Sequence, residues 1–354
     1  MNIDESGCGT IAVIIINYKT CDLLRKCLQS VLTSATYADR TAQIIVVDNA
    51  SQDGAVEMVA TEFPEVDLIA LDENIGFTAA NNLGLKKLGI LNSEAKTQSS
   101  STELGDVEFQ QIIPQVQPTP DYVLLLNPDT ELANDTLEQF INFMEQTPEA
   151  ALCGAHLCYG SGEFQHGAFH FPSLAQIALD FFPLTNVRGS HHLHNSRFNG
   201  RYAAHRWEGQ QPFKVDFVLG AAMFTRTQAI TEIGGLDEGF FMYCEEIDWC
   251  MRLVQAGWSV YAVPTAHVVH YEGQSSKQVR WSSYVALWRS RLRFYAKYKA
   301  LYPLGYTQWI KWLIKIGLTH KRNQARKRFA RGEVTEGQLD AELQAYEKIR
   351  ELVI

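Results

Sequence analysis

A carboxylate can hold a metal ion, take up a proton or accept a hydrogen bond, and where the chain delivers it decides which. Asp129 stands in Tyr122-Val-Leu-Leu-Leu-Asn-Pro-Asp-Thr-Glu-Leu132. Val123 to Leu126 read as a strand buried on both faces, and Asn127-Pro128 stops it because proline cannot donate to a ladder. Asp129 therefore arrives at the strand's C-terminal edge, where a hard divalent cation carrying a diphosphate would need it. Taken alone, Asn-Pro-Asp-Thr is equally a turn. Asp48 follows Ile44-Ile-Val-Val47 in the same manner, as a ligand contact or as the head of an Asx turn. A third group of acids opens a helical pattern, with Glu245, Glu246 and Asp248 in Met242-Tyr-Cys-Glu-Glu-Ile-Asp-Trp-Cys-Met-Arg252. Acids in a first turn suit the helix dipole and Asp248 can pair with Arg252, but Glu246 lies outside that pairing.

Histidines add further candidates. His270 closes the run Ala262-Val-Pro-Thr-Ala-His-Val-Val-His270, as a core histidine or a metal ligand. Pro264, Val268 and Val269 argue that His267 and His270 sit on extended chain and do not form a zinc helix motif. His191, His192 and His194 lie in a Gly- and Asn-flanked loop, a metal-binding tract or a polar lid over a substrate.

The elements that must position these groups alternate. Ile11 to Ile16 is a β-branched run ending at Asn17-Tyr18, and Leu23, Leu24, Cys27, Leu28, Val31 and Leu32 follow with helical period. Strand Ile44 to Val47 runs into Asp48-Asn-Ala-Ser51, and Val56, Met58, Val59 and Phe63 mark a second helix. Val66 to Leu71 is a third strand, and Asn74-Ile-Gly-Phe-Thr-Ala-Ala-Asn-Asn-Leu-Gly84 bends into a third helix. Such alternation implies a parallel sheet with helices on both faces and ligands outside the strands' C-terminal ends. Gly76 permits close backbone approach to a ligand. Asn81 and Asn82 are poor mid-helix residues that gain sense if their amides face one, or they are a polar helix start. Residues 92–120 read as a polar surface insertion. Phe164, Phe169, Phe171, Tyr202 and Trp207 lie between Cys153 and Lys214, where they can stack on a ligand's rings or simply pack. Val215 to Phe224 returns as a strand, with Gly220 allowing close approach.

With 354 residues, 46% of them hydrophobic, the chain can bury a sizeable core. Its seven cysteines include no CxxC pair and no secretory signal is evident, so a reducing cytosol is expected. No run approaches a bilayer span. The net charge of −9 hides an asymmetry: Arg280 to Arg331 holds 14 Lys and Arg and no acid, leaving 40 acids against 17 bases elsewhere. Anionic lipid, a polyanionic substrate or nucleic acid could each answer to such a surface. Trp309, Ile310, Trp312, Leu313 and Ile316 read as one apolar helix face beside Lys311, Lys315 and Arg322, either an in-plane membrane helix or a helix packed on the core. A last helix, opened by Thr335-x-x-Gln338 and lined by Leu339, Leu343, Tyr346 and Leu352, caps the fold or pairs with a second copy in a homodimer.

Taken in order, Val-Ile-Ile-Ile-Asn-Tyr, Val-Val-Asp48-Asn-Ala-Ser, Asn74-x-Gly-Phe-x-x-Ala-Asn-Asn, Leu-Leu-Asn-Pro-Asp129-Thr, Gly234-Gly-Leu-Asp-Glu-x-Phe-Phe-Met-Tyr, Glu245-Glu-x-Asp and His270-x-x-Gly273-x-Ser275 resemble the family 2 glycosyltransferases, nearest their rhamnosyltransferase-like branch. The resemblance spans about residues 11 to 300. It implies an α/β fold of GT-A type, an inverting mechanism, a nucleoside-diphosphate sugar donor (dTDP-rhamnose, or a UDP-sugar) and Mg²⁺ or Mn²⁺. It also implies donor contacts at Asn17, Tyr18, Asp48, Asn49, Ser51, Asn74, Gly76, Phe77, Asn81, Asn127 and Asp129, with Asp48 on the N3–H of a uracil or thymine ring. Asp129 matches the last Asp of the family's Asp-x-Asp, whose first position is Asn127 here, and His270 matches its metal-bound histidine. Glu246 matches the catalytic base, normally Asp, with Glu245 as the alternative. Gly220, Tyr243, Asp248 and Trp249 fall on the acceptor side.

These expectations combine into a cytoplasmic inverting transferase over residues 1–300, with a nucleotide-sugar half at 11–132, an acceptor half at 133–300 and a basic helical extension at 301–354. It would move a sugar to a glycan or lipid-linked acceptor in cell-surface polysaccharide assembly, on the inner face of the plasma membrane, with no nucleic-acid partner. A glycosidase would need two carboxylates flanking the bond. A nucleotidyltransferase would need a Gly-rich phosphate loop where Asn17-Tyr-Lys-Thr stands. A non-catalytic nucleotide-sugar-binding homologue would leave Glu246 away from the donor.

Overall fold

The computed structural model describes residues 10–91, 119–183, 195–273 and 280–353. The core of the expected insertion, His191, His192, His194 and Ser275 lie outside the described residues. The strands are β1 Ile11–Asn17, β2 Ala42–Asp48, β3 Asp67–Ala70, β4 Tyr122–Leu126, β5 Thr130–Leu132, β6 Ala150–Cys158, β7 Phe164–Gln165, β8 Ala168–Phe169, β9 Phe213–Val215, β10 Phe217–Val218, β11 Ala222–Arg226 and β12 Ser259–His270. The helices are α1 Cys21–Tyr37, α2 Ala55–Glu62, α3 Phe77–Lys87, α4 Thr136–Gln146, α5 Leu174–Phe181, α6 His205–Glu208, α7 Thr227–Ile233, α8 Glu245–Gln255, α9 Arg280–Lys297, α10 Tyr306–Ala330 and α11 Glu336–Glu351.

One sheet runs in the order β3-β2-β1-β4-β11-β6-β12-β5, with β7 on β6 and β9 on β12. β1 lies between β2 and β4 and parallel to both, Ile15 facing Val46 on one side and Leu126 on the other. All seven residues of β1 are buried because helices cover both faces. Ile11, Val13 and Ile15 join Leu24, Leu28, Val59 and Phe140 of α1, α2 and α4, while Ala12, Ile14 and Ile16 join Ala80, Leu85 and Leu253 of α3 and α8. The expected parallel sheet therefore holds over β3 to β4. Beyond β4 the sheet is mixed: β11 is antiparallel to β4 and β6, and β5 is antiparallel to β12.

The strand expected over Val215 to Phe224 is three pieces, because the chain changes sheet within it. β9 pairs with β12, β10 forms a separate two-stranded sheet with β8, and β11 returns to the main sheet. Asp216 holds the first break, accepting from Tyr202 Oη at 3.1 Å and from the Phe171 amide at 2.9 Å. The aromatic residues between Cys153 and Lys214 mostly pack on one another, Phe169 on Phe217 and Trp207 on Phe213, and Trp207 is buried.

The C-terminal helices share the sheet's core. Trp288 and Phe294 of α9, Ile310, Ile314 and Leu318 of α10, and Tyr346 and Ile349 of α11 belong to the same apolar cluster as Ala12 and Ile14. The apolar face expected of α10 divides in two. Ile310, Ile314, Gly317 and Leu318 turn inward at helical spacing, whereas Trp309, Trp312 and Ile316 are 60%, 55% and 39% exposed. α11 opens on a capping box, Thr335 Oγ1 accepting from the Gln338 amide and Gln338 Oε1 from the Thr335 amide, and its acids answer part of the basic run through Arg322–Glu347 and Arg328–Glu342. A Cβ on Gly317 would sit 2.2 Å from Cγ of Phe181, so glycine sets how closely α10 approaches α5. Gly317→Leu is expected to cost about 1–3 kcal/mol in urea unfolding through overpacking. An unchanged midpoint would contradict this packing.

Candidate active site

The parallel register brings Asn17 level with Asp48 at the C-terminal ends of β1 and β2. Asn17 Nδ2 donates to Asp48 Oδ1 at 2.8 Å and to Ser51 Oγ at 3.0 Å, and the Ser51 amide donates to Asp48 Oδ2 at 3.0 Å. Thr20 Oγ1 donates to Asn17 Oδ1 at 2.7 Å, which fixes the amide. Asp48 thus heads an Asx turn, and its buried oxygens keep lone pairs beyond those bonds. Lys19, Ala50 and Gln52 hold positive φ in these loops, a strain typical of functional sites, and Tyr18 is half-buried between them.

Asn49 clasps the next loop. Its Oδ1 accepts from the Ile75 amide at 2.9 Å and its Nδ2 donates to Asn74 Oδ1, which also accepts from the Gly76 amide. Gly76 has φ +89°, and a Cβ there would lie 2.7 Å from the Phe241 carbonyl oxygen, so the close approach it allows is that of Phe241. The Phe77 amide donates to the same oxygen at 2.9 Å. Asn82 turns to the loop before α8: Nδ2 donates to the Leu236 carbonyl and Glu238, and Oδ1 accepts from the Leu236 amide. Asn81 donates to the Phe77 carbonyl, but its buried Oδ1 has no partner among the described residues.

Asp129 lies in the turn from β4 to β5. The Asn127 amide donates to the Ala221 carbonyl, Thr130 Oγ1 donates to the Asn127 carbonyl, and the Tyr271 amide donates to the Asp129 carbonyl. β5 pairs antiparallel with β12, Thr130 facing His270, and this sets His270 Nε2 3.5 Å from Asp129 Oδ1 in a buried pocket. His270 Nδ1 lies 3.0 Å from Gln165 Oε1, an oxygen that can only accept. A proton on Nδ1 can be donated to this oxygen, and Nε2 is the ring nitrogen that faces Asp129. One carboxylate oxygen and one imidazole nitrogen suit a divalent cation that takes its remaining ligands from substrate phosphates. Among the described residues no third His, Cys, Asp or Glu joins them. Gln165 escapes sequence reasoning, since it lies on a two-residue strand and reaches His270 only because β7 pairs with β6 and β6 with β12.

α8 delivers the acids. Tyr243 and Cys244, neither a glycine, hold φ of +70° and +65° immediately before it, and Met242 is pinned by Ser290 Oγ on its carbonyl at 2.7 Å. Glu245 is buried and Glu246 half-buried, and each has an Oε2 without a partner among the described residues. Burial pushes the Glu246 carboxyl up to about 7, against the pull of the amides at the helix start and of Arg291. Burial and the Glu246 charge raise Glu245 well above the usual carboxylate range. The two share protons as a pair, with Glu246 the one nearer solvent. Gly220 lies beside it, Glu246 Cβ being 3.8 Å from where a Gly220 Cβ would stand.

Asp248 and Trp249, expected on the acceptor side, point into the interior. Asp248 is fully buried, held by Arg252 Nε at 2.9 Å, Tyr298 Oη at 2.8 Å and Lys297, and Trp249 Nε1 donates to the Gly234 carbonyl. They anchor the helix that carries Glu246.

Glu246 keeps its proton to about pH 7 in the folded chain, against an ordinary 4.5. Its contribution to stability is fully present below the lower value and lost as pH rises through the higher one. The melting temperature of Glu246→Gln should gain on that of wild type between about pH 5 and about pH 8. A difference that is constant with pH would contradict the burial argument.

Residues 9–284 match the family described as "Glycosyltransferase like family 2". The chain is 27% identical over 271 residues, 75% of its length and 77% of the relative's, to the N-acetylglucosaminyl-diphospho-decaprenol L-rhamnosyltransferase of Mycobacterium tuberculosis. It is 29% identical over 170 residues, 46% of its length and 58% of the relative's, to rhamnosyltransferase WbbL of Escherichia coli. Among solved structures, the mannosyltransferase of Pyrobaculum calidifontis in complex with GDP-Man and Mn²⁺ superposes with a TM-score of 0.51 over 98% of this chain and 87% of its own, at 13% identity. GalNAc-T7 with UDP, GalNAc and Mn²⁺ superposes at 0.50 over 82% of this chain and 48% of its own, at 12% identity. Sheet order, strand-end residues and these likenesses agree on a GT-A type fold, and the chain belongs to the family 2 glycosyltransferases.

Proposed function

We propose that this chain is an inverting transferase that moves rhamnose from dTDP-rhamnose to a lipid-linked glycan acceptor, with Glu246 as the base. The observation that carries the reading is the position of Glu246 against Gly220, whose neighbour Ala221 accepts from the Asn127 amide two residues before Asp129, with burial pushing the Glu246 carboxyl up to about 7. Asp48, fixed by Asn17 and Ser51, accepts from the N3–H of the thymine ring. Asn127 and Asp129 face the diphosphate. Asp129 and His270 would hold Mg²⁺ or Mn²⁺, which neutralises charge developing on the leaving diphosphate. Glu246 takes the proton from the acceptor hydroxyl as that oxygen attacks the anomeric carbon, and the bond to the diphosphate breaks on the opposite face. One base suffices for this displacement, and burial together with the Glu246 charge disfavours a second negative charge on Glu245. GDP-sugars and UDP-sugars are alternatives that a donor screen separates.

Glu246→Gln should lower turnover by ~10² or more with donor affinity retained, and Asp129→Ala should abolish transfer. His270→Ala should weaken metal dependence without unfolding. If Glu245→Gln is the dead variant and Glu246→Gln is active, the base is misassigned by one position. Normal metal-dependent turnover in Asp129→Ala would remove the cation assignment.

A second surface supports placement against the inner membrane face. No helix among the described residues is long and apolar enough to cross a membrane. Trp309, Trp312 and Ile316 instead form an exposed stripe on α10, Leu301 and Leu304 are exposed in the segment before it, and Lys311 and Lys315 lie beside the stripe on the helix without carboxylate partners among the described residues. An apolar stripe edged by lysines complements an anionic bilayer surface. Vesicles containing anionic lipid should sediment the protein at low salt and release it at high salt, and Trp309→Ala with Trp312→Ala should weaken binding while leaving the melting temperature within a few degrees. Absence of binding at low salt would rule out this surface.

A further inference from the structure

A cleft of about 740 Å³ opens between the last three helices, lined by Arg280, Trp281 and Tyr284 of α9, Lys321 and Arg328 of α10, and Tyr346 of α11. Such a volume is within the range of small-molecule sites, whereas helix interfaces that serve packing alone are filled. Tyr243 also faces it. The same Tyr243 belongs to the strained turn that starts α8, three residues before Glu246.

Charge in the cleft is unbalanced. Arg328 is committed: its Nη2 reaches both oxygens of buried Glu342 at 2.6 Å, and Tyr346 Oη donates to the same carboxylate. Arg280 and Lys321 have no carboxylate partner among the described residues, so two positive charges face the opening uncompensated. The walls are aromatic and fixed. Trp281 meets Tyr346 edge to face at 5.9 Å, Tyr284 meets Tyr346 at 6.2 Å, and the Arg280 guanidinium lies 5.0 Å over the Trp281 ring. Cations beside rigid aromatic faces recognise a phosphorylated group attached to an apolar or sugar moiety.

We propose that this cleft binds the diphosphate end of the lipid-linked acceptor. An acceptor anchored there by its anion approaches Glu246 from the α8 side, leaving the ends of β1, β2 and β4 to the donor. The inference rests on the transferase reading above for the identity of the ligand as acceptor, but the binding site itself does not.

Citronellyl diphosphate, titrated calorimetrically into the full chain in EDTA, is the probe, with citronellol as the neutral control and dTDP with Mn²⁺ as the donor-site control. Wild type should bind the diphosphate and not the alcohol. Arg280→Gln with Lys321→Gln should weaken diphosphate binding about tenfold or more while dTDP affinity stays within about twofold. Equal diphosphate affinity in the double variant, or a wild type that binds diphosphate no better than alcohol, overturns the proposal. Should dTDP fail to bind wild type while the diphosphate binds and is lost in the variant, the transferase reading falls and the anion site stands. A melting temperature for the variant close to wild type separates lost binding from lost folding.

Discussion

The short antiparallel pairing of β5 with β12 is the constraint on which the site depends. It is three residue pairs long, and it joins the turn after β4 to the end of the longest strand in the sheet. Without it Asp129 is the tip of a turn and His270 the end of a strand elsewhere. With it the two groups stand 3.5 Å apart, buried, and His270 is held by the Gln165 amide. Strand pairing supplies this geometry at little conformational cost, because each partner is already extended and its backbone donors must be satisfied somewhere.

The start of α8 is built differently, from backbone strain and desolvation. Two consecutive non-glycine residues at positive φ lead into α8, and the hydrogen bonds of Asp248, Trp249 and Ser290 hold the helix and its approach in place. The helix start offers amide donors that favour ionised carboxylates, yet burial dominates and keeps Glu246 near neutrality in its titration. A carboxyl poised there serves a base working at cellular pH, since it is both available and driven to accept a proton.

Much of this was legible in the residues. The β-branched runs at Ile11 and Ile44 and the apolar run at Val123 announce strands buried on both faces, because period and length leave few alternatives, and the carboxylates that follow them mark the ligand edge. The acids of α8 and their pairing through Asp248 and Arg252 were likewise visible at helical spacing. What local pattern could not carry was partnership across the fold. Gly76 is a glycine because of Phe241, Asn82 is held by Leu236, and His270 is held by Gln165, each through a contact distant in sequence. The break of Val215 to Phe224 into three strands depends on Asp216 meeting Tyr202 and Phe171, which no window of that segment contains. The two faces of α10 share one apolar periodicity, and which is inside is set by its packing on α5, where Phe181 meets Gly317, and on α11.

A single base beside a separate strand-edge site for the leaving diphosphate permits attack from one face and departure from the other. The anomeric configuration of the product, read by proton NMR from the first turnover of a nucleoside-diphosphate sugar of known configuration, tests this most directly. The account predicts complete inversion. Retention would require a covalent or same-face route that one carboxylate at Glu246 does not supply, and it would contradict the arrangement argued here.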